Sequence, residues 1–144
     1  MFRSVLTATL LAALASLSLP AQSVKLQATI PFDFHIGQAL MPAGDYSVLQ
    51  RPGFLIVRGD YAHPKSAAAV VMQASAVPAA SSSKLVFNRY GDDYFLASVW
   101  QEGASAGLML PKAKREQVRS RLLTDTASSL RAPQTTIIHA LRVK

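Results

Sequence analysis

The stretch that most constrains this fold runs from Val24 to Gly37, where apolar and polar residues alternate at every position. One side receives Val24, Leu26, Ala28, Ile30, Phe32, Phe34 and Ile36, and the other receives Lys25, Gln27, Thr29, Pro31, Asp33, His35 and Gly37. A two-residue period is that of a β-strand with one buried face, and such a run arises by chance only about once in 10⁴. Phe32 and Phe34 are therefore predicted core residues, whereas Asp33 and His35 are predicted to face solvent.

This stretch is too long for one ordinary strand. Fully extended, it would measure about 46 Å, more than twice a typical strand. We therefore expect it to bend or to serve two sheets. Pro31 is the expected place, because proline has no amide proton for a strand ladder and is found at edges and bulges.

The rest of the chain supplies further short strands separated by Pro and Gly turns. The pattern predicts a hairpin from Tyr46–Gln50 and Phe54–Arg58 around a three-residue loop, 51–53, and a second hairpin over Lys84–Trp100. Further strands are predicted at Ser66–Ala74 and Leu108–Leu110. The fold class is therefore all-β, an antiparallel β-sandwich or a small β-barrel of about 7–8 strands.

The register of the second hairpin is left open by the sequence. A two-residue loop, Gly91-Asp92, would place Phe87 opposite Leu96, whereas a three-residue loop would place Phe87 opposite Ala97. Both loops use residues that are common in tight turns.

The first 23 residues predict a secretory signal peptide. A short basic start, Met1-Phe2-Arg3, precedes an apolar run from Val5 to Leu19, and small residues follow at Ala21 and Ser23. We place the cleavage after Ser23, with Ala21 as the alternative. An uncleaved membrane anchor is the rival interpretation, but the run falls short of the roughly 20 residues that span a bilayer. The chain is thus predicted to be exported, to the periplasm or outside the cell.

Stability must come from a hydrophobic core, because the chain contains no Cys that could form a disulfide. A mature chain of about 121 residues can bury roughly two-thirds of its unfolded surface. One antiparallel β-domain over residues 24–110 is the expectation.

The positive charge lies at one end of the chain. Residues 24–110 contain six Lys or Arg and six acids, whereas residues 111–144 contain eight basic residues against Glu116 and Asp125, a net charge of +6. Any attraction to anionic partners should therefore belong to the C-terminal segment.

That segment begins with a predicted basic helix. Pro111 suits a first helical turn, no breaker follows up to Leu123, and Val118 and Leu122 form a narrow apolar stripe. Its basic face is a candidate contact for anionic envelope lipid or polymer, although a merely solvated helix fits the pattern equally well. Export disfavours nucleic acid as the partner. Residues 124–144 form a tail that is either disordered or contains a strand over Thr135–Val143. The candidate contact residues are Lys112, Lys114, Arg115, Arg119 and Arg121.

The order of motifs resembles an uncharacterised family of small exported bacterial β-rich proteins. The motifs are ATIPFDFHIG, LMPAGDYSV, LVFNRYGDDYFLASVW and LPKAKRE, after a signal peptide, and the resemblance covers Ala28 to about Gln117. It implies export and a β-rich fold, and it brings no catalytic residue, ligand or reaction with it.

Two weaker patterns concern ligands. Asp33 and His35, with His63 or His139, would have to converge to bind a metal, and a solvated polar face is the preferred interpretation. Tyr90, Tyr94 and Trp100 would form a glycan-stacking platform if they were exposed together, but core packing is preferred.

We predict no catalytic residue, cofactor or metal site, since no nucleophile or phosphate-binding motif occurs. The expected function is that of a non-catalytic envelope module with a structural or binding role. One alternative is a small β-barrel that binds an apolar ligand or a glycan. An apolar ligand would need an interior cavity of about 300 Å³ or more. The other alternative is an enzyme of unknown type.

Overall fold

The computed structural model describes residues 25–75, 78–126 and 133–143. The predicted signal peptide lies outside these residues. Within them the chain forms twelve strands and one helix. The strands are β1 (Lys25–Ile30), β2 (Phe34–Ile36), β3 (Ala39–Met41), β4 (Gly44–Arg51), β5 (Phe54–Gly59), β6 (Ser66–Val70), β7 (Met72–Ser75), β8 (Lys84–Tyr90), β9 (Asp93–Trp100), β10 (Ala106–Met109), β11 (Gln134–His139) and β12 (Leu141–Val143), and helix α1 (Lys114–Thr126) lies between β10 and β11.

The strands form two sheets. The five-stranded sheet has the order β12-β1-β4-β5-β6. The seven-stranded sheet has the order β11-β8-β9-β10-β7, and β2, paired with β3, joins it through a parallel contact with β9. The architecture is an all-β sandwich and not a closed barrel, so the sandwich expectation is confirmed and the barrel is excluded. The predicted number of strands was too low.

The long alternating stretch divides between the two sheets. Strand β1 ends at Ile30 in the five-stranded sheet, and β2 begins at Phe34 in the seven-stranded sheet. The break at 31–33 confirms the predicted bend at Pro31. Asp33 lies in this bend and is exposed, and its Oδ1 accepts a hydrogen bond of 2.8 Å from the amide of Ala43.

The prediction of which residues near the bend are buried and which face solvent is only partly correct. Phe34 is fully buried and Phe32 packs against the core, as predicted. His35 is also buried, with 4% of its surface exposed, so the prediction that it faces solvent was wrong. Strand β2 has all three residues buried because the seven-stranded sheet is covered on its second side.

The core fills the space between the sheets. Its largest fully buried side chains include Phe34, Phe87, Ile30, Leu55 and Met41. The rings of Phe34 and Phe87 meet edge to face, with centroids 5.4 Å apart. A cavity that enters this space beside Leu26 and Leu108 measures only about 30 Å³.

The hairpin of β8 and β9 turns at Gly91-Asp92, which settles the register. Phe87 lies opposite Leu96, and Gly91 adopts a φ of +64°, a conformation that glycine reaches without strain. Strand β9 contains a β-bulge, because Val86 pairs with Ser98 and Phe87 with Leu96, so that Ala97 is an extra residue in the ladder. The earlier hairpin, β4 and β5, also has a two-residue loop, because Arg51 pairs with Phe54, so the three-residue loop predicted there was wrong.

Two segments pass from one sheet to the other at points that have no local sequence signal. The predicted strand Ser66–Ala74 is interrupted at Val71, and its halves, β6 and β7, belong to different sheets. The tail expected to be disordered or to hold one strand instead contains two. Strand β11 pairs with β8 and β12 pairs with β1, so the tail supplies an edge strand to each sheet.

The predicted helix is present but starts three residues later than Pro111 and ends at Thr126. Its predicted apolar stripe does not face the protein. Val118 is 55% exposed and Leu122 is also exposed, whereas Glu116 is buried. The helix therefore docks through a polar side.

Candidate functional site

Helix α1 lies over the outer face of β8 and β9, and a buried carboxylate holds it there. Glu116 is 4% exposed, and its Oε1 accepts hydrogen bonds from Asn88 Nδ2 at 2.9 Å and from the hydroxyl of Tyr90 at 3.2 Å. Asn88 and Tyr90 are two residues apart on β8, so they share the face of the strand that points away from the core. The buried carboxylate is thus paired with two donors from one strand.

A second contact joins the helix to the hairpin. Arg119 Nε lies 2.7 Å from Asp93 Oδ2, at the start of β9. The other carboxylate oxygen of Asp93, Oδ1, lies 4.0 Å from His35 Nε2. Asp93 therefore stands between the helix and β2.

His35 completes the cluster from β2. Its ring stacks on Phe95, with centroids 4.8 Å apart and planes inclined by 20°, because His35 and Phe95 are neighbours in the parallel pair of β2 and β9. Its Nδ1 is buried and has no hydrogen-bond partner among the residues that the structure describes. We call the group formed by His35, Asn88, Tyr90, Asp93, Glu116 and Arg119 the helix-docking cluster.

The surroundings shift the pKa of two groups in this cluster. Burial lowers the pKa of His35 below its ordinary value of 6.5, and the nearby guanidinium of Arg115 lowers it further, against the opposing effect of Asp93. Burial raises the pKa of Tyr90, as does the neighbouring carboxylate of Glu116. Near neutral pH the cluster thus holds a neutral imidazole and a protonated phenol.

The contacts of this cluster attach helix α1 to the seven-stranded sheet. The Tyr90 hydroxyl and the Asn88 amide donate to Glu116, and Arg119 pairs with Asp93, so these side chains are occupied with one another. A general base would need an accessible substrate proton, whereas only 4% of the surface of His35 is exposed.

The predicted basic residues do not form one uniform surface. Arg119 is engaged with Asp93, whereas Lys112 lies before the helix, borders a groove beside β6 and interacts through its side chain with the hydroxyl of Tyr90. Lys114, Arg115 and Arg121 are exposed on α1. The contact set predicted from the sequence is therefore divided among three surroundings.

The three aromatic residues considered for glycan stacking do not make a platform. Tyr90 is buried under the helix. Tyr94 stacks on Phe32, with centroids 3.9 Å apart, and Trp100 lies against Gly107, where a Cβ would come within 2.3 Å of the indole. In the described residues, the three rings are therefore engaged with neighbouring side chains or backbone of the protein.

Asp33 and His35 differ in their surroundings, because Asp33 is exposed in the bend whereas His35 is buried on β2. Within residues 25–75, 78–126 and 133–143, no group of three or more His, Cys, Asp or Glu is placed to hold a metal ion. The helix in this part of the chain is not of the length and hydropathy that cross a bilayer.

Two larger cavities are open to solvent. One, of about 480 Å³, lies on the five-stranded sheet and is bordered by polar side chains that include Thr29, Asp45 and Asp60. The other, of about 490 Å³, lies beside β6.

Glu116, Asn88 and Asp93 were missed as interacting residues at the level of sequence. One signal for Glu116 was present, since it is the only acid between Pro111 and Leu123 among five basic residues. An acid in the first turn of a helix is ordinarily explained by the helix dipole, so this signal alone does not predict burial.

The fold and the cluster define an all-β sandwich with a docked basic helix. No protein-family model, curated protein or solved structure matches the chain.

Proposed function

We propose that this protein is an exported, non-catalytic β-sandwich that binds the anionic lipid surface of the cell envelope through the outward side of α1. The predicted signal peptide and the resemblance to exported bacterial proteins support the location. The net charge of +6 after Leu110 supports an anionic partner.

The observation that carries the proposal is the composition of the helix surface opposite Glu116. At 3.6 residues per turn, Val118 lies about 200° around the helix from Glu116, and Lys114 and Arg121 lie about 160° and 140° from it. All three are exposed. An apolar side chain flanked by two cations therefore points away from the sandwich.

This combination suits a lipid surface better than a soluble polyanion. Basic side chains contribute about 1 kcal/mol each near an anionic membrane, and apolar side chains between them gain free energy by entering the headgroup region. A polymer would use the charges alone. Docking through Glu116 leaves Val118 available for this contact, because the helix does not bury its apolar side against the sheet.

Removal of the helix by truncation cannot test the proposal, since β11 and β12 follow α1 and belong to the two sheets. Substitutions on the outward side are the proper test. The mature chain, residues 24–144, should co-sediment with vesicles of phosphatidylglycerol and phosphatidylcholine at low salt, and weakly with phosphatidylcholine alone. The double variant Lys114→Gln, Arg121→Gln should bind about 30-fold more weakly, the equivalent of about 2 kcal/mol for two cations.

The matched control removes the same charge from the five-stranded sheet. Arg51→Gln, Arg58→Gln lowers the net charge equally at exposed positions on β4 and β5 and should leave binding within about twofold. Val118→Ser should weaken binding at high salt, where charges are screened over about 3 Å. Failure of the mature chain to bind at low salt, or equal loss in the two double variants, would refute the proposal.

A further inference from the structure

His35 lies where a change of its charge acts on the docking of α1. Its side chain is 4% exposed, and Nδ1 has no hydrogen-bond partner among the described residues. Nε2 lies 4.0 Å from Oδ1 of Asp93, the carboxylate whose Oδ2 pairs with Arg119 at 2.7 Å. Asp93 is therefore shared between an imidazole of the sheet, which can become charged, and a guanidinium of the helix, which is always charged.

The ionisable groups that face His35 come from two elements. Strand β9 supplies Asp93, whose charge favours the protonated imidazole, and α1 supplies Arg115 and Arg119, whose charges oppose it. Strands β3 and β6, which also contact β2, contain no ionisable residue. Glu116, the acid of α1 in this cluster, accepts its hydrogen bonds from β8 instead. A protonated His35 would thus meet two helix cations and one carboxylate that already has a cationic partner.

The helix is the element that can yield to this repulsion. Strand β2 is held by backbone pairing with β3 and β9, whereas the contacts described for the helix-docking cluster join α1 to the sheet through side chains. Movement of α1 breaks no strand ladder. It would remove the charges of Arg115 and Arg119 from His35 and leave Asp93 free to pair with the imidazolium.

We propose that His35 is a proton-sensitive switch for α1, in which protonation of the imidazole weakens the pairing of Asp93 with Arg119 and releases the helix from the sandwich. Linkage is reciprocal, so release must favour protonation by the same factor by which protonation favours release. The electrostatics of the docked state have the required sign, since burial and then Arg115 hold the pKa of His35 below 6.5. The released state takes up the proton first, so release should increase as the pH falls below about 6.5.

Release of α1 does not depend on the proposed lipid binding, so the test uses the mature chain in solution. The measurement is the amide protection factor, which corrects for the pH dependence of exchange in an unfolded chain. Protection factors over Lys114–Thr126 should fall at least about threefold between about pH 7.5 and 5, and no more steeply than about tenfold per pH unit, the limit for one proton. They should not change with a low concentration of urea, because a local opening exposes little surface.

Two substitutions separate His35 from the other titratable groups. His35→Phe keeps a ring against Phe95 and should remove the pH dependence of α1, whereas His63→Gln, which replaces an exposed histidine, should retain it. Arg115→Gln tests the same coupling from the exposed side of the contact, in case His35→Phe does not fold. It should reduce the decrease to less than about twofold, because one of the opposing charges is gone. Lys114→Gln removes an equal charge from the neighbouring position and should retain the full decrease.

Four results would overturn the proposal. The first is a protection factor of α1 that does not change with pH, and the second is an equal decrease in His35→Phe, which would assign the effect to a carboxylate such as Glu116. The third is an equal decrease in Arg115→Gln and Lys114→Gln. The fourth is exchange of α1 that accelerates with urea as steeply as that of β4 and β5, which would mean that acid unfolds the whole domain and does not release the helix.

Discussion

Replacement of Glu116 by alanine should release α1 from the sandwich. The side chain is 4% exposed and accepts two hydrogen bonds, from Asn88 and from Tyr90. Hydrogen bonds to a charged acceptor contribute about 1.5–3 kcal/mol each, and the buried hydroxyl of Tyr90 would lose the acceptor for its proton. Relief of the buried charge offsets part of this loss. We expect docking of the helix to weaken by about 2–4 kcal/mol, the upper part of the range for single substitutions.

The assay is amide hydrogen exchange resolved along the chain. Two kcal/mol corresponds to about a 30-fold increase in the population of a locally opened state. Amides of Lys114–Thr126 should therefore exchange at least tenfold faster in Glu116→Ala, whereas amides of β4 and β5 should change little. Glu116→Gln keeps an acceptor oxygen and should cost about half as much, since hydrogen bonds to neutral acceptors are roughly half as strong.

Lys114→Ala serves as the control, because Lys114 is exposed on the opposite side of the same helix. It should leave exchange in α1 within about threefold, the equivalent of about 0.6 kcal/mol. Unchanged exchange of the helix in Glu116→Ala, or an equal increase in every strand, would contradict the assignment of Glu116 as the residue that holds α1.

Two further predictions concern the bend and its neighbours. Phe34→Ala should lower the free energy of unfolding by about 3–5 kcal/mol, because Phe34 is fully buried. Asp33→Ala should lower it by under about 1 kcal/mol, because Asp33 is exposed and makes one hydrogen bond. Equal urea midpoints for the two variants would refute this prediction. Since burial holds the pKa of His35 below 6.5, the unfolded chain binds the proton first as pH falls. Stability should therefore decrease below about pH 6.5. His35→Phe, which retains a ring against Phe95, should show a smaller loss in urea unfolding between pH 7.5 and 5, and an identical loss in both proteins would exclude His35 as a source.

His35 shows how far local alternation predicts burial. The pattern correctly places Phe34 and His35 on opposite faces of one strand. It cannot tell that the second face is buried, because the groups that surround His35, which are Phe95 and Asp93 of β9 and the charges of Arg115 and Arg119, come from much later in the sequence. Alternation assigns faces, whereas tertiary packing decides whether each face meets solvent.

The segments that pass from one sheet to the other show a second limit of prediction from the sequence. Strand composition identified Ser66–Ala74 as β-structure, and the structure confirms strands there. The interruption at Val71 leaves no local signature, since Val favours strands and no Gly or Pro is present. In the tail, strands β11 and β12 are half exposed at sheet edges, so their composition is mixed and their periodicity weak. Their partners, β8 and β1, are distant in the sequence.

The sequence predicts the turn of the hairpin at Gly91-Asp92 better. Gly followed by Asp is a recognised two-residue loop, and the structure takes the shorter of the two loops considered. The bulge beyond it was not predictable from the turn. On the other side of β9, the amide of Leu110, which follows β10, donates to Ala97 O at 2.9 Å. That contact uses the extra residue of β9.

The net charge of the basic segment does not distinguish residues that have different roles. Five cations that the sequence presents as one set occupy three surroundings: Arg119 faces Asp93, Lys112 interacts with the hydroxyl of Tyr90, and the remaining three are exposed on α1. A charge that is paired within the protein contributes little to an external partner, because the two opposite charges largely cancel at a distance. The binding surface should therefore be weaker than a net charge of +6 suggests, and it should be localised around Val118. Attachment and the proposed lipid binding would use opposite sides of one helix, so each can be altered by substitution without removing the other.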